Sequence, residues 1–146
     1  MRRIILLLLL LTPVVAVSPQ DEPAPTKDQL AQAPTMKIEE LLAHPDRYDK
    51  TLVRVNALWV DQYHGSLVCP LNDDPKCLGA ECPDEDTCKD LRKVLDKNLT
   101  GEIWNMSGRI SLVGRFVDTK TPPAMNAPRF VLKVYKIDGV LKPSSR

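Results

Sequence analysis

The stretch Arg109-Ile110-Ser111-Leu112-Val113-Gly114-Arg115-Phe116-Val117 decides the fold class. Period-2 spacing puts Ile110, Leu112 and Phe116 on one face of a strand. Gly114 stands between the last two, where a barrel strand can bend sharply. Working outward, the run Phe130-Val131-Leu132-Lys133-Val134-Tyr135-Lys136-Ile137 reads as a closing strand with Lys133 facing water, after a loop from Asp118 to Pro128 that carries three prolines. Upstream, Thr51 to Val60 (TLVRVNALWV) reads as a strand with Leu52 and Trp59 on opposite faces, since their separation is odd. Asp61 to Gly65 makes a turn and Ser66 to Cys69 a second strand stopped by Pro70, which together form a hairpin. A short strand at Ile103-Trp104 and a turn at Asn105 to Gly108 complete the β elements.

Helices are fewer. Met36, Ile38, Leu41 and Leu42 recur at helical spacing behind Thr35, a candidate N-cap, and Pro45 ends that helix near Ala43 or His44. From Pro70 to Pro83 the composition is that of a loop. Asp84 or Asp86 then caps a second helix, whose apolar positions Cys88, Leu91, Val94 and Leu95 share a face, so Cys88 points inward. The fold class is therefore mainly β with some α: a small antiparallel barrel or open sheet, an N-terminal helix and one inserted helix.

The chain of 146 residues opens with Arg2-Arg3, an apolar run from Ile4 to Leu11, and a break at Thr12-Pro13 before small residues. This is the pattern of a secretory signal peptide over residues 1–16, with cleavage after Ala16. The run is shorter than the roughly 20 residues of a membrane span. Residues 17–35 hold Pro19, Pro23, Pro25 and Pro34 and hardly any large apolar side chain, and read as a disordered or polyproline-like tether. Residues 36–142 form one β domain, with a cysteine-rich insertion at 69–88 and a tail at 143–146. Losing Arg2 and Arg3 with the leader lowers the basic count from 20 to 18, against 19 acids. That interleaved, near-neutral balance offers no basic face for nucleic acid.

Further likenesses join these elements. Ile38-Glu39-Glu40-Leu41-Leu42, Pro45, Tyr48-Asp49 and Val53-Arg54-Val55, then Ser66-Leu67 after Gly65, Val113-Gly114-Arg115-Phe116 and Leu132-Lys133-Val134, resemble small uncharacterised bacterial exported proteins with an OB-fold-like domain. The resemblance implies an OB-like barrel and carries over no catalytic residue. Three departures stand out: Asp49-Lys50 in place of a glycine-containing turn, Ala57 in place of a glycine, and the cysteine-rich insertion. An OB barrel also sets its helix between the third and fourth strands, whereas the Cys88 helix follows the second strand recognisable here.

Cys69, Cys77, Cys82 and Cys88 are the only cysteines. In an exported chain an even, clustered set reads as two disulfides. Of three possible pairings, a strand-terminal Cys69 and an inward Cys88 favour Cys69 with Cys88, leaving Cys77 with Cys82 nested inside. The alternative is a structural zinc site, but intervals of seven, four and five residues between successive cysteines suit zinc poorly. Neither a metal nor a cofactor is expected.

Trp59, Tyr63 and His64 converge near the first hairpin and form a candidate ligand face. Asp73-Asp74 and Asp84-Glu85-Asp86 lack a calcium-loop spacing. Asn98 and Asn105 begin glycosylation-type triplets. These features describe a periplasmic or secreted, non-enzymatic binding or structural domain whose partner is an envelope component or another protein. The alternatives are a small hydrolase using His64 with a carboxylate brought near by folding, and a zinc module built on the four cysteines.

Overall fold

The computed structural model describes residues 22–62, 65–72, 74–102, 105–121, 123 and 128–142. Three short helices, α1 (Lys27–Gln32), α2 (Ile38–Ala43) and α3 (Pro45–Tyr48), precede strands β1 (Leu52–Gln62), β2 (Gly65–Cys69) and β3 (Leu78–Glu81). Helix α4 (Glu85–Asn98) follows, then β4 (Thr100–Glu102), β5 (Asn105–Asp118) and β6 (Phe130–Val140).

Alternation works as expected in the long strands. Along β1, Val53, Val55, Ala57 and Trp59 are buried while Leu52 lies on the other face. Along β5, Ile110, Leu112 and Phe116 point into the core beside Gly114. A long antiparallel ladder pairs β1 with β5, from Leu52 opposite Arg115 to Gln62 opposite Asn105. The C-terminal half of β5 then pairs with β6, and the register shifts between Ser111 and Leu112 and between Val113 and Gly114. Such bulges bend a strand and increase its twist, which lets one strand serve two neighbours around a curved wall. At Gly114 the walls meet closely: a Cβ there would lie 2.7 Å from Leu132 Cγ and 2.7 Å from the Lys133 carbonyl oxygen.

The order β1-β2-β3-β6-β5 closes on itself through the β1–β5 pairing, giving a five-stranded barrel, with β4 added to the start of β5. The sheet is therefore not open, and it is mixed rather than wholly antiparallel. β3 runs parallel to β6, with Gly79 opposite Val131 and Glu81 opposite Lys133. β3 lies in the stretch read from composition as loop. Its four residues hold one glycine and one alanine, and they become a strand because β2 and β6 supply hydrogen-bond partners on both edges. With β3 counted, α4 sits between the third and fourth strands of the barrel. It starts at Asp84, whose carboxylate accepts from the Thr87 N–H at 2.7 Å, and it buries Leu91 and Leu95 against the core. Val94, assigned to that face from its spacing, is exposed, because it falls about 60° to the side of Leu91 and about 100° from Leu95 around the helix.

The first expected helix is α2, with Lys37 rather than Thr35 at its N-cap. Thr35 is instead extended, bridging in parallel to Arg54, with the Met36 N–H donating to the Arg54 carbonyl at 2.8 Å. The described part of the stretch expected to be a loose tether is folded onto the barrel. α1 carries a capping box between Thr26 and Gln29, and Ala33 is buried. The Arg54 guanidinium donates to the carbonyls of Ala33 (2.8 Å), Leu30 (3.2 Å) and Ala31 (3.3 Å) and pairs with Asp138 at 2.7 Å. Arg115 pairs with Glu22 at 2.9 Å. These attachments are mostly polar and made to backbone, so the scarcity of apolar side chains did not forecast them.

The disulfides join Cys69 to Cys77 and Cys82 to Cys88, so the expected nested pairing is wrong. β3 supplies the reason: Cys77 and Cys82 flank an extended strand, which sets their Cα atoms roughly 16 Å apart at about 3.3 Å per residue, far beyond disulfide reach. The observed pairs have Cα–Cα distances of 4.2 and 5.3 Å. Among the described residues no helix is long and apolar enough to cross a membrane.

Candidate functional site

A cleft of about 650 Å³ opens between α2, the loop closed by the Cys69–Cys77 disulfide, and the β5–β6 connection. Leu42 of α2, Pro75, Cys77, Pro128 and Phe130 give it apolar walls, and Lys76 and Arg129 bring cations to it. Two lining acids are already engaged: Glu39 accepts from Asn72 at 2.7 Å, and Asp74 accepts from the Lys76 N–H at 3.0 Å.

Arg129 is held from behind. Asp118, at the end of β5, has a fully buried side chain and accepts from Arg129 Nε and from one of its terminal nitrogens, both at 2.9 Å. Lys120 adds its N–H and its ammonium, each at 2.9 Å, and its ammonium also reaches Asp46 at 3.1 Å. The Arg129 hydrogen bonds, with those from Lys120, outweigh desolvation and hold the Asp118 carboxyl well below the usual carboxylate range. The same contacts raise both cations, Asp118 being the main cause in each. Asp118 thus fixes the guanidinium plane and leaves the other terminal nitrogen of Arg129 without a partner among the described residues. The guanidinium also lies 5.0 Å from the centre of the Phe130 ring, which stacks on Phe116 with centroids 5.9 Å apart.

The backbone here is constrained as well. The two described non-glycine residues with positive φ, Lys50 (63°) and Lys120 (58°), both sit at this corner. The Lys50 N–H donates to the Phe116 carbonyl at 2.8 Å, and the Asp118 N–H donates to Asp49 at 2.9 Å. Left-handed conformations at non-glycine residues persist where surrounding contacts over-determine them, commonly at ligand clamps. Asp49-Lys50, the turn that departs from the glycine pattern, is therefore held in place by the end of β5.

Of the residues proposed from sequence, Trp59 is described, and Tyr63 and His64 lie outside the described residues. Trp59 is 5% exposed, part of the core, and borders a separate pocket beneath α4. His44 is exposed at the junction of α2 and α3. All four cysteines are in disulfides, so no thiolate remains to hold zinc, and among the described residues no cluster of three or more His, Cys, Asp or Glu is placed to bind a metal. Asp118 and Arg129 were not singled out from sequence. Their signal was an acid ending the best strand and a base opening the last one, separated by a proline-rich loop. A search of protein-family models, curated proteins and solved structures yields no match to this chain.

Proposed function

We propose that this protein is an extracytoplasmic, OB-like binding domain, non-enzymatic, that takes an anionic group carried on an apolar stem into the cleft beside the β5–β6 connection. The closed order of five strands with α4 between the third and fourth supports the OB-like reading. In such barrels the loop between the last two strands is one of the two that border the ligand. The leader-like N-terminus and the two disulfides support export.

The observation that carries the binding reading is Arg129. Its guanidinium is oriented by a buried carboxylate, backed by an aromatic ring, and set at the edge of an apolar cleft. A cation fixed in advance loses less freedom on binding than a free side chain does. Ala43 lines the same cleft from an exposed position on α2, so Ala43→Trp fills the space without disturbing the core. Immobilised wild-type protein is expected to retain a component of the native envelope that Ala43→Trp and Lys76→Glu proteins both release. Identical retention by all three proteins would refute the assignment of the cleft.

A further inference from the structure

Arg129 does not set the overall charge of the cleft beside the β5–β6 connection, because Asp118 already matches it through two hydrogen bonds. Lys120 and Asp46 behind that pair offset one another in the same way. What remains on the described walls is Lys76 against two carboxylates, Glu39 of α2 and Asp74 of the loop closed by the Cys69–Cys77 disulfide. Both acids are half-buried. Glu39 accepts from the Asn72 side-chain amide and Asp74 from the Lys76 backbone N–H, and neutral donors of this kind leave the charge of a carboxylate uncompensated. Neither acid has an ion-pair partner among the described residues, and neither has Lys76.

Lys76 can answer only one of the two acids at a time, so the described walls keep a surplus of one negative charge. A bare anion on the free nitrogen of Arg129 would meet that surplus as repulsion, whereas a ligand that also brings a cation turns it into attraction. The charges stand on different walls: Glu39 on α2, Asp74 on the disulfide loop and Arg129 on the β5–β6 connection, with Leu42, Pro128 and Phe130 supplying apolar surface to the same cleft. The two charges of the ligand therefore belong at separate points of an apolar stem. We propose that the ligand of this cleft is a small zwitterion, with an acid group at one end of a short apolar stem for Arg129 and an ammonium group at the other for Glu39 and Asp74. This inference rests on the binding reading given above and adds the second charge to it.

Three eight-carbon probes separate the charges: octanoate, octylammonium and 8-aminooctanoate. Each is titrated at pH 7 and low ionic strength into the disulfide-intact protein, followed by the backbone amide resonances of Ala43, Lys76 and Arg129. 8-Aminooctanoate is expected to bind more tightly than either singly charged probe, with Kd on the order of 1 mM, as suits so few heavy atoms. A protein carrying both Glu39→Gln and Asp74→Asn keeps an acceptor oxygen at each position, so its folding is not at stake. In it octanoate should bind more tightly, 8-aminooctanoate more weakly, and the preference for the zwitterion over octanoate should fall at least about fivefold. Octanoate binding as tightly as 8-aminooctanoate, or a preference that survives the double substitution, overturns the zwitterion and leaves the anion site at Arg129 standing. Octylammonium binding as tightly as 8-aminooctanoate overturns it as well, because Arg129 would then contribute nothing. Failure of all three probes to shift these resonances overturns both the zwitterion and the anion site.

Discussion

Replacing Gly114 with alanine tests the barrel where two of its walls approach most closely. The added methyl would stand 2.7 Å from Leu132 Cγ and 2.7 Å from the Lys133 carbonyl oxygen, where ordinary contacts begin near 3.4 Å. Leu132 is fully buried, and Lys133 belongs to a residue pair of the β5–β6 ladder, so neither neighbour can retreat without opening a cavity or stretching strand pairing. Overpacking of this kind costs about 1–3 kcal/mol, and two simultaneous clashes, one against backbone, place Gly114→Ala at the upper end. For a folded unit of this size that corresponds to a fall in Tm of about 10 °C. Gly139→Ala is the matched control. It lies in β6 opposite Ser111, nothing stands within 4 Å of its added Cβ, and its φ is ordinary, so the smaller unfolded-state entropy of alanine predicts a gain of about 0.4–1 kcal/mol. Thermal and urea unfolding followed by circular dichroism on disulfide-intact proteins, with m compared to show an unchanged unfolded state, give both values. A Gly114→Ala protein that melts within about 2 °C of wild type, or a Gly139→Ala protein that falls equally far, would refute the close-approach argument.

Three other outcomes are expected. Cleavage of the denatured, unreduced protein after Glu81 should separate the Cys69–Cys77 and Cys82–Cys88 halves into unlinked fragments, and fragments that stay joined until reductant is added would refute this pairing in favour of the nested or the crossed one. Removing either bridge as a Cys-to-Ala pair should cost about 2–2.5 kcal/mol in the chain-entropy model for loops this short, and a loss below about 0.5 kcal/mol in urea unfolding would show that the closed loop is already ordered without it. Because the Asp118 carboxyl is lowered on folding, its stabilisation is present above the ordinary aspartate range near pH 4 and is lost as pH falls through and below it. The Tm gap between wild type and Asp118→Asn should therefore shrink from pH 7 to pH 3, and a gap constant across that range would contradict the buried ion cluster.

What the sequence made legible was whatever depends on alternation. β1, β5 and β6 each expose one buried face as a run of apolar residues at every second position, and Trp59 and Leu52 fall on opposite faces as parity requires. Leu78-Gly79-Ala80-Glu81 carries no such signal. Gly79 is small because a Cβ there would lie 2.5 Å from the Pro128 ring, so tertiary packing selected a residue that local propensity counts against a strand. Missing that strand caused two further errors, the nested disulfides and the wholly antiparallel sheet. The Arg129 cleft was hidden for a different reason. Asp118 and Arg129 meet only because β5 and β6 pair antiparallel across the intervening loop, with Asp118 opposite Phe130. α1 escaped notice because its six residues are too few to form a stable helix alone and depend on the Arg54 guanidinium gathering their last carbonyls.

Each cysteine is bonded to its immediate neighbour in the chain, which bears on biosynthesis. In a polypeptide threaded amino end first into an oxidising space, the second thiol to arrive is already the right partner for the first, and the fourth for the third. Oxidation in order of appearance then yields the native set directly, with no wrong bond to undo. A nested arrangement would have held Cys69 unpaired until Cys88 emerged and exposed it to two incorrect partners on the way. This protein should accordingly mature in cells that have a thiol oxidase but lack a disulfide isomerase.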